Sequence, residues 1–304
     1  MRMNDLRAFL AVTHANSFSG AAESLHLTQP AISKRIGNLE RDLGLKLFDR
    51  VGKRVYLTDA GSLLEPRAES LLAEIDDTQR LLRNLHTQVD GTLNLATSHH
   101  VGLHRLAPVL KSFNVEHAAV QLEIQFEDSE AAHDLVRSGA AEFAVVTLNP
   151  EGPDELEYQP IWYDALLFVV AKEHPLARAT SIPLAQLVDE PAVLPGMGTY
   201  TGRIVVDVFR DRGLELRPTM STNYLETIGM LVGAGLGWSV LPKSLIGEGV
   251  VRLDCGAPPM HRVLGTVTHP NRTLSNAAKA FLQVLARHAD APAHRDIARE
   301  PGTD

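Results

Sequence analysis

Several short groupings in the 304-residue sequence carry side chains that could do chemistry. Ser98 stands beside His99 and His100, the residue types of nucleophilic hydrolysis. No Gly-x-Ser-x-Gly elbow surrounds that serine, and no acid is assignable by spacing to orient an imidazole. His100 and His104 would face the same way on a helix and could hold a metal, yet two imidazoles need a further donor. Neither a supporting acid nor a third histidine is evident. Gly196-x-Gly198 lacks the helix-opening glycine of a dinucleotide fingerprint. The single cysteine, Cys255, excludes an intramolecular disulfide and a Cys-based zinc site. These residues predict a protein that is not an enzyme, with no cofactor and no resident metal.

A different chemistry is offered near the N-terminus. Apolar positions from Asn4 to His14 fit one face of a helix, and Ser19 is expected to cap a second from Gly20 to Leu27. Thr28 caps a third, with Pro30 in its first turn where a missing amide hydrogen costs nothing. On this third helix Ile32, Ile36, Leu39 and Leu43 form the expected buried stripe. Pro30, Ser33, Lys34, Gly37 and Arg41 share another face, short, basic and unbranched, which suits close approach to DNA. Lys46–Arg50 and Val55–Thr58 read as two short strands around a basic turn, with Arg50, Lys53 and Arg54 placed to lie along phosphates. The turn would also serve as a plain solvated hairpin.

Charge supports the first of these readings. Residues 1–62 hold three lysines and six arginines against six acids, a balance of +3, whereas the whole chain carries −8 and the remainder therefore −11. A basic head on an acidic body suits a DNA-binding module joined to a sensing domain.

The same residues carry a family resemblance. Phe9-Leu10, Ser17-Phe18-Ser19-Gly20-Ala21-Ala22, Leu27 through Ser33, Leu39-Glu40, Leu43-Gly44, Leu47-Phe48-Asp49-Arg50 and Leu57-Thr58-Asp59-Ala60-Gly61 resemble the winged helix-turn-helix head of the LysR-type transcriptional regulators. The resemblance implies that Gln29, Pro30, Ser33 and Lys34 lie in the major groove and that Arg35, Arg50, Lys53 and Arg54 lie on the backbone. Arg35 points away from Ser33 and Lys34 on the helical wheel, which suits a phosphate rather than a base edge.

Beyond Thr58, Leu64, Ala68, Leu71, Ile75, Thr78, Leu82, Leu85 and Val89 recur at alternating spacings of four and three, a coiled-coil seam interrupted early by Pro66. Self-association follows, although an intramolecular helix packed on the body would show the same spacing. Pro66 predicts a kink or a late start. In the resembling regulators this helix dimerises, here through Leu64, Leu71, Ile75, Leu82 and Leu85, and further body contacts often make a tetramer.

After Gly91 the pattern becomes that of an α/β domain. Strands are expected at 92–97, 120–127, 142–147, 156–162, 166–171, 192–194, 217–221, 238–241 and 263–268. Helices are expected at 100–114, 129–138, 201–212, 225–233 and 275–290, and Tyr163-Asp164 marks the passage to a second lobe. The expected chain is α/β and multidomain. A winged helix-turn-helix spans 1–58, a linker helix 59–90, and a bilobed effector-binding domain resembling solute-binding proteins 91–290. Its lobes are 91–162 plus 263–290 and 163–262, followed by a loose tail, 291–304. Gly233-Ala234-Gly235-Leu236-Gly237-Trp238, followed by Leu241-Pro242, is the stretch of the body most similar to the family.

Ligands of such bodies collect outside the carboxyl ends of strands, where helix N-termini favour anions. Thr97, Ser98, His99 and Thr147 from one lobe and Tyr200, Thr201, Thr222 and Asn223 from the other are therefore expected to meet a small polar or anionic metabolite. His99 and His100 would add pH sensitivity or face solvent. Double-stranded promoter DNA, a second copy of the chain and, for an activator, RNA polymerase are the other expected partners. A stand-alone solute-binding protein would explain 91–290 but leave the head unexplained. The first residues lack the apolar core of a signal peptide and no stretch suits a lipid-spanning helix, so a cytoplasmic protein without membrane contact is expected.

Overall fold

A computed structural model describes residues 1–51, 54–152 and 155–290. Lys53 and the expected tail, 291–304, fall outside the described residues, as do the side chains of Arg50 and Arg54. Two compact units divide between His86 and Thr87. Among the described residues no helix is long and apolar enough to cross a membrane.

The first unit opens with α1 (Met3–Ala15), α2 (Phe18–Ser24) and α3 (Gln29–Leu43). Ser17, rather than Ser19, caps α2, its hydroxyl accepting the Gly20 N–H at 3.3 Å. The helix starts earlier than expected because Phe18 is needed in the core, where its ring meets Phe48. Thr28 caps α3 as expected, accepting the Ala31 N–H at 3.4 Å. Ile32, Ile36 and Leu39 are buried against Phe9 and Val12, but Leu43 is exposed because Gly44, in the left-handed conformation, ends the helix there.

Strands β1 (Phe48–Val51) and β2 (Arg54–Leu57) form the antiparallel wing. Helix α4 (Asp59–Arg83) follows, capped by Thr58, whose hydroxyl accepts the Gly61 N–H at 3.1 Å and donates to Lys46 O at 2.7 Å. Gly61 passes so close to the Leu47 carbonyl that a Cβ would overlap it. Pro66 sits inside α4 without delaying its start. Leu64, Ala68 and Leu72 pack on the head, while Leu71 and Leu82 are exposed on the single chain. The helix stops at Arg83, so the seam is shorter than its spacing suggested. Leu85 lies in the following turn, and Val89 packs into the core of the second unit.

The second unit runs β3 (Gly91–Thr97), α5 (His99–Val101), a π-helical segment (Gly102–Leu106), α6 (Ala107–Glu116), β4 (Val120–Phe126), α7 (Ser129–Ser138) and β5 (Phe143–Thr147). It continues through β6 (Glu157–Ala171), β7 (Val193–Leu194), α8 (Tyr200–Arg210), β8 (Met220–Ser221), α9 (Leu225–Gly233), β9 (Ser239–Pro242), β10 (Val250–Arg252), β11 (Met260–Thr268) and α10 (Asn276–Ala286). β3 pairs in parallel with β4 and β5, as expected of βαβ units, whereas β11 runs antiparallel to both β5 and β6.

β6 corrects one expectation. It is one 15-residue strand rather than two strands broken at Tyr163-Asp164. Its first half pairs with β11, and its second half with β9 and β10. Asp164 does not break it because Arg262 lies directly opposite on β11. The segment expected as a strand from 217 contributes only Met220 and Ser221.

Both faces of the sheet are covered, so strand residues alternate between two cores. Phe143 and Val145 face Phe113 and Phe281, while Ala144 and Val146 face Ala132 and Val136. Beyond Asp164, Phe168 and Val170 face Phe209 and Trp238, while Val169 faces Ile228 and Val232. The strand β6 and its partner β11 are thus shared by two lobes, each with its own helices.

Candidate functional site

Of the residues predicted to touch nucleic acid, Gln29, Pro30, Ser33 and Lys34 stand on α3 away from its buried stripe. Gln29, Pro30 and Lys34 are exposed and Ser33 is half-buried. The Gln29 amide donates to the Ser33 hydroxyl at 3.0 Å, holding two polar groups one turn apart in a common orientation. Arg35 behaves differently, its guanidinium donating to the Asn4 carbonyl at 3.0 Å. Glu40 ties α3 to the wing, accepting the Leu47 N–H at 3.0 Å and the Lys46 ammonium at 2.7 Å. Burial acts to raise the Glu40 pKa, but the Lys46 and Leu47 hydrogen bonds outweigh it and hold the carboxyl below its ordinary value.

In the second unit a cleft with about 470 Å³ of atom-free space, part of it open to solvent, lies where α5, α7, α8 and α9 begin. Six of the eight residues expected there line it: Ser98, His99, Thr147, Tyr200, Thr201 and Asn223. Thr97 does not, because its hydroxyl turns into the sheet and donates to Val145 O at 2.7 Å. Thr222 also stays out of the lining, its hydroxyl accepting the Tyr224 N–H at 3.4 Å.

Acids of the first lobe meet donors of the second in and around this cleft, whose lining includes Asp128, Glu130, Tyr200 and Asn223 but not Glu151 or Arg203. Asp128 accepts from the Asn223 amide at 2.6 Å, Glu151 from Arg203 at 3.0 Å, and Glu130 from the backbone N–H of Tyr200 at the start of α8. The last contact places a carboxylate on the positive end of a helix, the arrangement an anionic ligand would use. Gly202 lies so close to the Gly196 carbonyl that any larger residue would push this turn apart.

Beneath the cleft lies a buried ionic cluster that spacing did not reveal. Asp164 and Arg262 are 4% and 3% exposed, and two Arg262 nitrogens donate to one Asp164 oxygen, Oδ2, at 2.8 and 3.2 Å. Arg105 donates to the other Asp164 oxygen at 2.5 Å, and Arg262 reaches toward the Thr201 hydroxyl at 3.5 Å. Burial alone would raise the Asp164 pKa, but His100, Arg262 and Arg105 hold it far below the usual carboxylate range. The signal available in the sequence was a single charge inside each of two apolar runs, 160–171 and 260–268.

His100 and His104 converge on Glu226 of α9. Their Nδ1 and Nε2 atoms lie 3.1 and 2.8 Å from the same oxygen, Oε1. The His100 hydrogen bond is the largest influence lowering the Glu226 pKa, to about 2, against a smaller rise from burial. The supporting acid missing from the histidine spacing is thus supplied from 122 residues away in the chain. Three donor atoms within 4.8 Å of one another form a group able to hold a metal ion.

Comparison with known proteins gives a consistent picture. Residues 86–290 match the LysR substrate binding domain, and residues 3–62 match the bacterial regulatory helix-turn-helix protein, lysR family. The RuBisCO operon transcriptional regulator of Allochromatium vinosum is 30% identical over 293 residues, covering 94% of this chain and 96% of that protein. A full-length OxyR cysteine variant from Pseudomonas aeruginosa superposes with a TM-score of 0.66 at 23% identity, covering 95% of this chain and 94% of that one. Full-length CbnR complexed with its target DNA gives 0.64 at 20% identity, covering 95% and 100%.

Proposed function

Because this chain belongs to the LysR family of DNA-binding transcriptional regulators, we propose that Gln29, Pro30, Ser33 and Lys34 read base edges in the major groove. The observation that carries this reading is the polarity of α3, apolar and buried at Ile32, Ile36 and Leu39, short and polar on the opposite side. Arg50, Lys53 and Arg54 of the wing grip phosphates. Arg35 braces α1 through one guanidinium N–H to Asn4, and its remaining N–H groups can donate to a neighbouring phosphate.

Two heads are joined through α4. The exposed Leu71 and Leu82, with half-buried Ile75, supply the apolar contact, and Leu64 is largely used within its own head. Paired heads read a pseudo-palindromic site, and a tetramer forms by pairing of such dimers through the bodies. Contact with RNA polymerase follows if the protein activates.

The effector is a small polar metabolite bearing one anionic group. Ser98, Thr147 and Thr201 offer hydroxyls from both lobes, and the start of α8 offers the N–H now taken by Glu130. A ligand carboxylate that displaces Glu130 changes the contacts between the lobes, and through them the spacing of the DNA heads.

Retention of a fragment of its own promoter tests the first part. Ser33→Ala should change sequence preference at one position, by about 1–3 kcal/mol per base pair, whereas loss of a phosphate contact should weaken all sequences alike. A thermal-shift screen of the full chain against small hydroxy-acids tests the second. Compounds that stabilise the wild type should lose their effect in Ser98→Ala and Thr201→Val while DNA retention stays intact. Undiminished stabilisation of both variants would place the effector elsewhere.

A further inference from the structure

We propose that His100, His104 and Glu226 form a binding site for one divalent cation of the zinc class, which ties the first lobe to the second beside the effector cleft. The His100 Nδ1 and His104 Nε2 atoms both face Glu226 Oε1, at 3.1 and 2.8 Å. Bare imidazole nitrogens and a carboxylate oxygen all carry lone pairs, so either protons or a metal ion must lie between them. The rings stand 4.7 Å apart, centroid to centroid, on one side of the helical run that includes the π segment. Such irregularities often re-aim side chains at functional sites.

Two further observations favour a metal. The second Glu226 oxygen, Oε2, is buried without a hydrogen-bond partner, leaving a carboxylate able to bind through either or both oxygens. His100 is itself 5% exposed, and its far nitrogen, Nε2, has no hydrogen-bond partner but faces the Asp164 carboxylate at 3.6 Å. A carboxylate behind a ligating imidazole fixes its tautomer and orientation, the support that metal-binding histidines generally receive. Asp164 is in turn held by Arg262 and Arg105.

The donor set defines the cation. Two imidazoles and one carboxylate suit Zn²⁺, Co²⁺ or Ni²⁺ and disfavour Mg²⁺ and Ca²⁺, which prefer oxygen alone. Ligands on a tetrahedral zinc at about 2.0–2.1 Å stand roughly 3.4 Å apart, so His104 and Glu226, now at 2.8 Å, need to separate by about 0.6 Å. Both are partly exposed, at 35% and 30%, which gives this adjustment room and the ion a path inward. Three protein ligands leave a fourth position for water. Because His100 and His104 precede and Glu226 follows the crossing of β6 between the lobes, occupancy would restrain lobe movement.

Full-length protein stripped with a chelator and titrated with Co²⁺ tests the site. One equivalent should bind per chain and produce the visible absorption of four- or five-coordinate cobalt, displaceable by Zn²⁺ but not by Mg²⁺. His104→Ala and Glu226→Gln should each weaken binding by at least about 100-fold. His14→Ala, which alters a surface histidine near Glu69 in the head, should leave it unchanged. Equal cobalt affinity in wild type, His104→Ala and Glu226→Gln, or no cobalt spectrum in any of them, would overturn the proposal. Circular dichroism checks that each variant is folded, and promoter retention, read separately, tests the regulator reading without reference to metal.

Discussion

Replacing Asp164 with asparagine should be among the most damaging single changes to the body. The substitution keeps the size of the side chain but removes the charge that neutralises Arg262, a guanidinium only 3% exposed. Breaking a buried pair from one side leaves the other charge unsolvated, at about 3–5 kcal/mol. The lower end applies here, because Arg105 retains 29% side-chain exposure and can turn toward water while Arg262 cannot. A loss of about 3 kcal/mol corresponds to roughly a hundredfold shift in the unfolding equilibrium.

With a urea dependence of about 2–3 kcal/mol per molar, the midpoint should fall by about 1–1.5 M. Both tryptophans, Trp162 and Trp238, are buried in the second unit, so their fluorescence reports this transition without a contribution from the head. The double variant Asp164→Asn/Arg262→Met should recover most of the loss, since an apolar side chain no longer needs a counter-ion. A single-variant loss below about 1 kcal/mol, or a double variant as unstable as the sum of its parts, would refute the assignment of Asp164 as the neutralising partner.

Leu82→Lys tests the proposed pairing through α4: it should give monomers in sedimentation while leaving circular dichroism unchanged, because Leu82 is 56% exposed on the single chain. The lowered Glu40 pKa should stabilise the head above the pKa of the unfolded chain, and this contribution should disappear as pH falls through the folded value. Lowering pH from about 6 to 3 should therefore narrow the difference in thermal stability between wild type and Glu40→Gln, measured by circular dichroism. Burial, reinforced by Asp254, pushes the Cys255 thiol up to about 11. Its thiolate fraction near pH 8 is on the order of one in a thousand, so iodoacetamide should label it far more slowly in the folded protein than in urea.

The sequence by itself determined the local architecture, since helix caps, apolar periodicity and short strand runs act within a few turns of chain. Thr28 and Thr58 cap the helices they precede, and Ile32, Ile36 and Leu39 are buried as their spacing predicts. Six residues at strand ends and helix starts reached one cleft because the βαβ pattern places such positions on a common edge.

Tertiary structure decided what spacing cannot encode. Phe18 moved the start of α2 because its ring was needed against Phe48, and Arg83 ended α4 although apolar residues continued at heptad spacing. Asp164 looked like a break until the β6–β11 register set Arg262 opposite it. Glu226 joined His100 and His104 only through the packing of α9 across the lobes, at a sequence separation where no helical or strand period operates. Local signals depend on neighbours along the chain, whereas the pairing of buried charges and metal-ligating groups depends on neighbours in space.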